Sequence, residues 1–258
     1  MEVEDQTQCC YCRDPGFGGR PVPSLMTRLS LLGVTRISKV SRGIMRGIAI
    51  ILIAVVTVVA GCAHPGIKGN GVIKTEDRSI SDFSKVVVSG AYKIKWSSGE
   101  PRLNVSTDEN LLPLIKTIVS GNTLRIDSEE NLAPTKTTTI ILCSPSLAAM
   151  QLSGGRSFKA SQISGHDLTI ESSGAWDISL DGSITKLEAN LAGASKLNAK
   201  ALQTQTARLS LLGASDAHVT VSDTLKVSVV GACSVTYSGN PKAVETNVIG
   251  RGRIQHLP

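Results

Sequence analysis

The fold is decided by the segment Leu191-Ala192-Gly193-Ala194, because variants of it recur along the second half of the chain. The other copies are Leu152-Ser153-Gly154-Gly155, Ser172-Ser173-Gly174-Ala175, Leu211-Leu212-Gly213-Ala214, Val229-Val230-Gly231-Ala232 and Val248-Ile249-Gly250-Arg251. The first glycines of successive copies are separated by 20, 19, 20, 18 and 19 residues. A spacing this regular indicates a repeat architecture in which each copy is one structural unit.

The residues before each glycine alternate between apolar and polar with a period of two. In the copy centred on Gly193, Leu187, Ala189 and Leu191 alternate with Glu188 and Asn190. This alternation predicts a β-strand with one buried face. A second apolar column, four residues after the glycine, predicts a second short strand beyond a corner.

A unit of about 20 residues suits one coil of a right-handed parallel β-helix, or β-solenoid, in an all-β domain. Its corner needs glycine, either for a positive φ or because neighbouring backbones approach closely there. The glycines predicted to form such corners are Gly90, Gly154, Gly174, Gly193, Gly213, Gly231 and Gly250. A run of antiparallel hairpins has the same period and stays open as an alternative, although only Asp181-Gly182 provides a preferred hairpin turn. A propeller blade needs about 40 residues and is excluded.

The composition agrees with a thin β-structure. Of 258 residues, 41% are hydrophobic but only 3% are aromatic, and 24 are glycine. A narrow coil encloses little volume per repeat, so its core takes Val, Leu, Ile and Ala where a thicker core would take rings. So few rings also argue against stacking platforms for sugars or nucleic-acid bases.

The N-terminal region contains an uncharged apolar run at residues 47–61, preceded by Arg42 and Arg46. A basic segment followed by a short apolar one predicts a signal peptide. The run has 15 residues, whereas a membrane-spanning helix needs about 20. It ends in Val59-Ala60-Gly61-Cys62, which resembles the lipobox of bacterial lipoproteins.

The lipobox resemblance implies cleavage after Gly61 and acylation of Cys62, which would anchor the chain to a membrane. Ala63, in place of an aspartate after the cysteine, implies an outer-membrane lipoprotein that faces the periplasm or the cell surface. Translation from Met45 would give a compact signal, so residues 1–44 are expected to precede the true start. Met26 would give a longer signal.

These features divide the chain into three parts. Residues 1–61 are the leader and signal peptide, 62–71 are a tether rich in Gly, and 72–256 are the β-domain, with its glycine-repeat half at 148–256. Residues 62–258 carry 20 Lys+Arg and 17 Asp+Glu. Their net charge is therefore +3 rather than the +6 of the whole chain, which removes the main support for a nucleic-acid partner.

Two cysteines fall within the predicted β-domain. Cys143 and Cys233 both lie in apolar runs that read as strands. A disulfide between them is compatible with an oxidising periplasm. Two buried free thiols are compatible with the apolar surroundings, and we favour this second interpretation.

Several short motifs of the mature chain occur in the order seen in a known bacterial family. They are Gly69-Asn70-Gly71, Asp82-Phe83-Ser84-Lys85-Val86-Val87-Val88-Ser89-Gly90-Ala91, Asp108-Glu109-Asn110-Leu111-Leu112, Gly121-Asn122-Thr123-Leu124 and Tyr237-Ser238-Gly239-Asn240-Pro241. Over about residues 72–256 the chain resembles the head GIN domain family of auto-transporter adhesins (DUF2807). The resemblance implies a β-helix-like fold and an adhesin or lipid-binding role. One departure is that Gly-Ala predominates here, where the family's repeats often read Gly-Ser-Gly.

No motif for a metal, a cofactor or a nucleophile is present: the sequence has no HExxH, P-loop, Rossmann fingerprint or nucleophile elbow. The strongest catalytic candidates are Asp177 and Asp216, with Lys196 between them in the same repeat position. The stacking distance of coils places the two carboxylates about 9.6 Å apart, near the upper limit for an inverting glycosidase. We favour a surface ladder of alternating charge over a catalytic pair. Trp176, directly after a corner, is expected to be partly exposed, either as a contact anchor or as a ring that covers an edge.

The sequence therefore predicts a non-enzymatic cell-envelope lipoprotein, an adhesin or scaffold that uses the polar face of a β-solenoid. Its expected partners are the membrane, through Cys62, and a surface glycan, protein or lipid. A protein that binds lipids or other hydrophobic molecules is the first alternative. A glycan-active β-helix enzyme is the second.

Overall fold

The computed structural model describes residues 66–257, so Cys62 and the predicted signal peptide lie outside the described residues. The described chain is all-β, about 76% strand with no α-helix, and it has one 3₁₀ turn at Leu112–Leu114. The strands are β1 (Ile67–Lys68), β2 (Ile73–Arg78), β3 (Lys85–Ser98), β4 (Arg102–Asp108), β5 (Ile115–Ser120), β6 (Thr123–Ser128), β7 (Leu132–Ala133), β8 (Thr139–Ser144), β9 (Ala149–Gly193), β10 (Lys196–Gly213), β11 (Asp216–Gly231), β12 (Ser234–Ser238), β13 (Ala243–Gly250) and β14 (Arg253–His256). Within this range there is no helix long and apolar enough to cross a membrane.

The glycine repeats pair in parallel. Strand β9 pairs with β3 and β10, β10 with β11, and β11 with β12 and β13, all in parallel. The register places Gly213 beside both Gly193 and Gly231. This excludes antiparallel hairpins for the repeats. The large sheet is mixed, because β4 pairs antiparallel with β2 and β8, and β5 pairs antiparallel with β6.

Strand β9 is too long to be straight. It has 45 residues, which would extend about 150 Å at the usual rise of a strand. Its first part pairs with β3 and its last part with β10. It bends at Gly154, Gly174 and Gly182, whose φ values are +106°, +117° and +133°.

The seven predicted corner glycines all have positive φ, between +106° and +136°. All of them except Gly90 also lie close to the preceding corner glycine: a Cβ added to Gly193 would lie 2.5 Å from the carbonyl oxygen of Gly174, and one on Gly213 would lie 2.6 Å from that of Gly193. Beside this contact, the Ala214 N–H donates to the Gly193 oxygen at 2.9 Å. Both physical reasons for glycine therefore act at these corners.

In each repeat, the strand before the corner and the strand after it both direct every second side chain into the same core. Ile170 before the corner and Ile178 after it are both 0% exposed and belong to one hydrophobic cluster. The aromatic side chains are also mostly internal. Those buried are Phe83, Tyr92, Trp96, Phe158 and Trp176.

The expected exposure of Trp176 is wrong, since this side chain is only 1% exposed. It lies two residues after Gly174, a position that faces inward in most repeats. Its indole N–H has no hydrogen-bond partner within residues 66–257. Trp176 therefore fills the core and cannot be a surface contact anchor.

The inward position two residues after the glycine holds small polar side chains in the later repeats. Each of them bonds a glycine carbonyl of the preceding repeat: Ser195 Oγ to Gly174 O at 3.3 Å, Ser215 Oγ to Gly193 O at 3.3 Å, and Cys233 Sγ to Gly213 O at 3.4 Å. Cys233 thus occupies the place of a serine. Both Cys233 and Cys143 are free thiols, as favoured from the sequence, but only Cys233 is buried as expected, whereas Cys143 is half-buried.

The predicted tether is shorter than residues 62–71. Strand β1 pairs with β7, and the Ile67 N–H donates to the Asn131 oxygen at 2.7 Å. Gly71 N–H donates to Asp108 Oδ1 at 2.7 Å. The ordered domain therefore begins by Gly66, because backbone hydrogen bonds hold this segment against residues distant in sequence.

Asp108 joins three segments of the chain. Its side chain is buried at the end of β4 and accepts hydrogen bonds from the Gly71 N–H at 2.7 Å, and from the Thr135 N–H at 2.9 Å and hydroxyl at 2.6 Å. The side-chain bond from Thr135, followed by the backbone bonds, lowers the pKa of Asp108 below its ordinary value. The ionised carboxylate thus holds the N-terminal segment and the loop around Thr135 together.

We expect Gly193→Ala to lower the free energy of unfolding by about 2–4 kcal/mol, because it adds left-handed strain and overlap with the Gly174 carbonyl. Gly121→Ala is the matched control, since Gly121 has φ +58° but no atom within 4 Å of an added Cβ. It should cost about 1 kcal/mol. Urea denaturation measures the free energy of unfolding of both variants. Equal decreases for Gly193→Ala and Gly121→Ala would contradict the close approach between Gly193 and the Gly174 carbonyl.

We expect Asp108→Asn to be less stable than the wild type at pH 7, with a difference that shrinks as the pH falls below about 4. The pKa of Asp108 is lower in the folded state, so its contribution is complete above the ordinary carboxyl pKa and is lost at lower pH. Urea denaturation from pH 7 to pH 3 measures this difference. A stability difference between Asp108→Asn and the wild type that stays constant from pH 7 to pH 3 would refute the account.

Candidate binding face

The outward side chains of the first strand in each repeat form a continuous surface, here called the ladder face. Parallel register places Ser210 directly between Asn190 and Ser228, and Arg208 between Glu188 and Lys226. The ladder face comprises the polar residues three and five positions before the corner glycines from Gly154 to Gly250: Gln151, Glu171, Asn190, Ser210, Ser228 and Asn247, with Thr169, Glu188, Arg208, Lys226 and Glu245.

The ladder face has hydrogen-bonding groups to offer a partner. Gln151 Nε2 donates to Glu171 Oε2 at 2.9 Å, and Lys226 pairs with Glu245 at 2.9 Å. Such exposed pairs contribute only about 0–1 kcal/mol each and are easily exchanged for new contacts. The side chains of Asn190 and Ser210 have no hydrogen-bond partner in the part of the chain that the structure describes.

Three grooves lie along the ladder face. Their volumes are about 650, 540 and 460 Å³. Glu171 lines the first and third, and Asn190 and Ser210 line the first and second. Small-molecule sites usually enclose most of the ligand surface, whereas these grooves are open to solvent. Amides, hydroxyls and charged groups line them together with apolar side chains such as Val87, Leu191 and Leu212. The arrangement suits an extended polar partner.

An apolar ridge borders the ladder face at its C-terminal end. It consists of Leu212, Val230 and Ile249, each directly before a corner glycine and 55%, 39% and 59% exposed. Parallel register stacks them in one row. The same position holds Ser153 and Ser173 in earlier repeats, so the surface changes from polar to apolar along the stack. The column is readable from the repeats of the sequence, although the ridge was not predicted from it.

The structure brings Asp177, Lys196 and Asp216 together as predicted. Lys196 pairs in register with both aspartates, and all three side chains are exposed. Neither aspartate lines any of the five grooves described for this surface. Enzymes place reacting carboxylates in a cleft that excludes water. The three residues therefore form a surface ladder of alternating charge.

Within residues 66–257 no group of three or more His, Cys, Asp or Glu side chains could hold a metal ion. The side chains of the ladder face and the ridge offer hydrogen bonding, charge pairing and apolar burial.

A family model described as "Putative auto-transporter adhesin, head GIN domain" matches residues 82–241. The chain belongs to the head GIN domain family. This confirms the resemblance read from the motifs, and the match spans every corner glycine except Gly250.

One of three similar solved structures, with a TM-score above 0.5, shows the same fold. A putative adhesin from Bacteroides fragilis NCTC 9343 is 19% identical with a TM-score of 0.63, and the alignment covers 74% of this chain and 100% of that one. A putative lipid binding protein from Parabacteroides distasonis ATCC 8503 is 21% identical (TM-score 0.46), and a putative adhesin from Parabacteroides merdae ATCC 43184 is 20% identical (TM-score 0.47); each alignment covers 74% of this chain and 99% of the other. No curated protein matches the chain.

Proposed function

We propose that this head GIN domain protein is a non-enzymatic, adhesin-like protein of the cell envelope that binds its partner through the ladder face. The observation that carries the proposal is that three grooves lie on one face whose polar side chains are held in register by parallel pairing. The family description as an auto-transporter adhesin supports it. The open position of Asp177 and Asp216 supports a role without catalysis.

We further propose that the repeats close into a right-handed β-solenoid with coils of about 19–20 residues. Parallel pairing of successive repeats, the bending of β9 at its glycines, and the burial of alternate side chains from both strands in one cluster support closure. A closed coil presents each outward column as a straight ladder, which is the geometry that an extended partner needs.

Anchoring through an acylated Cys62 is the third part of the proposal. Its support is the lipobox-like sequence and the position of strand β1, Ile67–Lys68, only a few residues after Cys62 in the sequence. An outer-membrane lipoprotein with so short a tether would hold the domain close to the membrane.

The apolar ridge favours a second candidate function, binding of a lipid or another hydrophobic molecule. Leu212, Val230 and Ile249 form the row of exposed apolar side chains that such a ligand would cover. Mass spectrometry of organic extracts of the purified protein separates the two candidates. A stoichiometric lipid would favour the second, and its absence the first.

We expect the paired change Asn190→Lys and Ser210→Lys to abolish attachment of cells that carry the protein, because it places two cations in the grooves of the ladder face. Ser179→Lys with Asn198→Lys is the matched control, since these two residues are also register neighbours but lie beyond the corner. Attachment is measured in a gene-deletion strain restored with each variant. Equal attachment by both variants, or no effect of the deletion itself, would count against the proposal.

We expect Cys62→Ser to release the protein from the membrane fraction, because the serine hydroxyl cannot accept the thioether-linked lipid. Fractionation and labelling with a fatty-acid analogue measure this, with Cys143→Ser as the control that should stay labelled and membrane-bound. A labelled, membrane-bound Cys62→Ser variant would show that the anchor lies elsewhere.

A further inference from the structure

A separate groove, here called the rim groove, lies between the first two corners and the loop at residues 128–138. Its volume is about 850 Å³, within the range of small-molecule sites. It shares only Ser89 with the first groove of the ladder face. Its lining is rich in hydroxyl groups such as those of Ser89, Tyr92 and Thr137, and its charged residues are the cations Lys136 and Arg156 and one acid, Glu130.

Arg156 breaks the inward pattern of its repeat position. It pairs in register with the buried Tyr92, and the corresponding residues Trp176, Ser195 and Ser215 are buried too. Arg156 instead is exposed and has φ +115°. This is a conformation that strongly favours glycine, and such strain concentrates at functional sites. The backbone therefore turns the guanidinium out of the core and into the rim groove.

A hydrogen bond holds the guanidinium of Arg156 in place, but no carboxylate of the described residues pairs with its charge. Arg156 Nη2 donates to Thr137 Oγ1 at 2.8 Å. Neither Arg156 nor Lys136 forms an ion pair with a carboxylate in the described chain. A guanidinium anchored at one nitrogen retains donors in a planar fork that matches a carboxylate or sulfate.

The loop that carries Thr137 and Lys136 is held in place. Asp108 accepts two hydrogen bonds from Thr135, and the N-terminal segment bonds the loop through Ile67 and Gly69. The rim groove is therefore pre-organised, which lowers the entropy lost when a ligand binds. Tyr92 also lines it, with a side chain 4% exposed and no hydrogen bond to another described residue.

We propose that the rim groove binds an acidic saccharide, whose anionic group is held by Arg156 and Lys136. The hydroxyl-rich lining suits the hydroxyls of a sugar ring. Because the buried aromatic rings leave no flat stacking platform, charge rather than stacking carries the recognition, which favours an acidic sugar over a neutral one. The proposal is independent of the ladder face, since its residues are different ones.

The test is calorimetric titration of the full-length, detergent-solubilised protein with tetragalacturonate. We expect binding by the wild type and no binding of the fully methyl-esterified tetrasaccharide, which lacks the charges. Arg156→Gly should weaken binding at least about tenfold, the effect of losing a charge-assisted hydrogen bond. Its melting temperature should equal or exceed that of the wild type, because glycine relieves the strain at φ +115°.

Two further variants keep the result interpretable. Lys136→Gln lies on an exposed loop and should weaken binding about threefold, whereas Arg208→Gln on the ladder face should bind like the wild type. Absence of tetragalacturonate binding, or unchanged affinity in both Arg156→Gly and Lys136→Gln, would overturn the proposal. Equally tight binding of tetraglutamate would also overturn it, because the site would then recognise acidic peptides.

Discussion

The structure depends on one repeated backbone contact, in which a corner glycine lies against the carbonyl of the glycine one repeat earlier. Beside it the following amide donates to the same carbonyl, as Ala214 does to Gly193 at 2.9 Å and Ala232 to Gly213 at 2.8 Å. A side chain at the corner would separate the two backbones and disturb the parallel ladder on both sides. The register fixed there decides which side chains enter the core and which form the outer columns.

The same constraint makes the surface a continuation of the repeat. Because the corner glycines are in register, the residues at each outward repeat position form a column on the surface. The column directly before the glycines contains Ser173, Ala192, Leu212 and Val230, so this surface changes from polar to apolar over four repeats. Arg156 departs from the inward pattern of its repeat position, because burying a charged arginine without a partner is too costly. The backbone turns instead, and the charge reaches the rim groove.

Much of this architecture is readable from local patterns. The two-residue alternation and the spacing of glycines predicted the parallel pairing, the core columns and the register of Asp177, Lys196 and Asp216. The burial of Trp176 was missed because serines and a cysteine share its inward column and make it look like an outward one. The docking of residues 66–71 was missed because their partners, Asp108 and Asn131, lie far along the chain. The rim groove likewise depends on contacts between distant segments.

The corner glycines from Gly174 to Gly231 each accept a hydrogen bond from the next repeat, and trans-hydrogen-bond scalar couplings measured by NMR test this contact directly. The account predicts couplings from the amide nitrogens of Ala194, Ala214, Ala232 and Arg251 to the carbonyl carbons of Gly174, Gly193, Gly213 and Gly231, respectively. Couplings from these amides to other carbonyls, or amide protons that exchange with solvent as fast as in an unfolded chain, would contradict it.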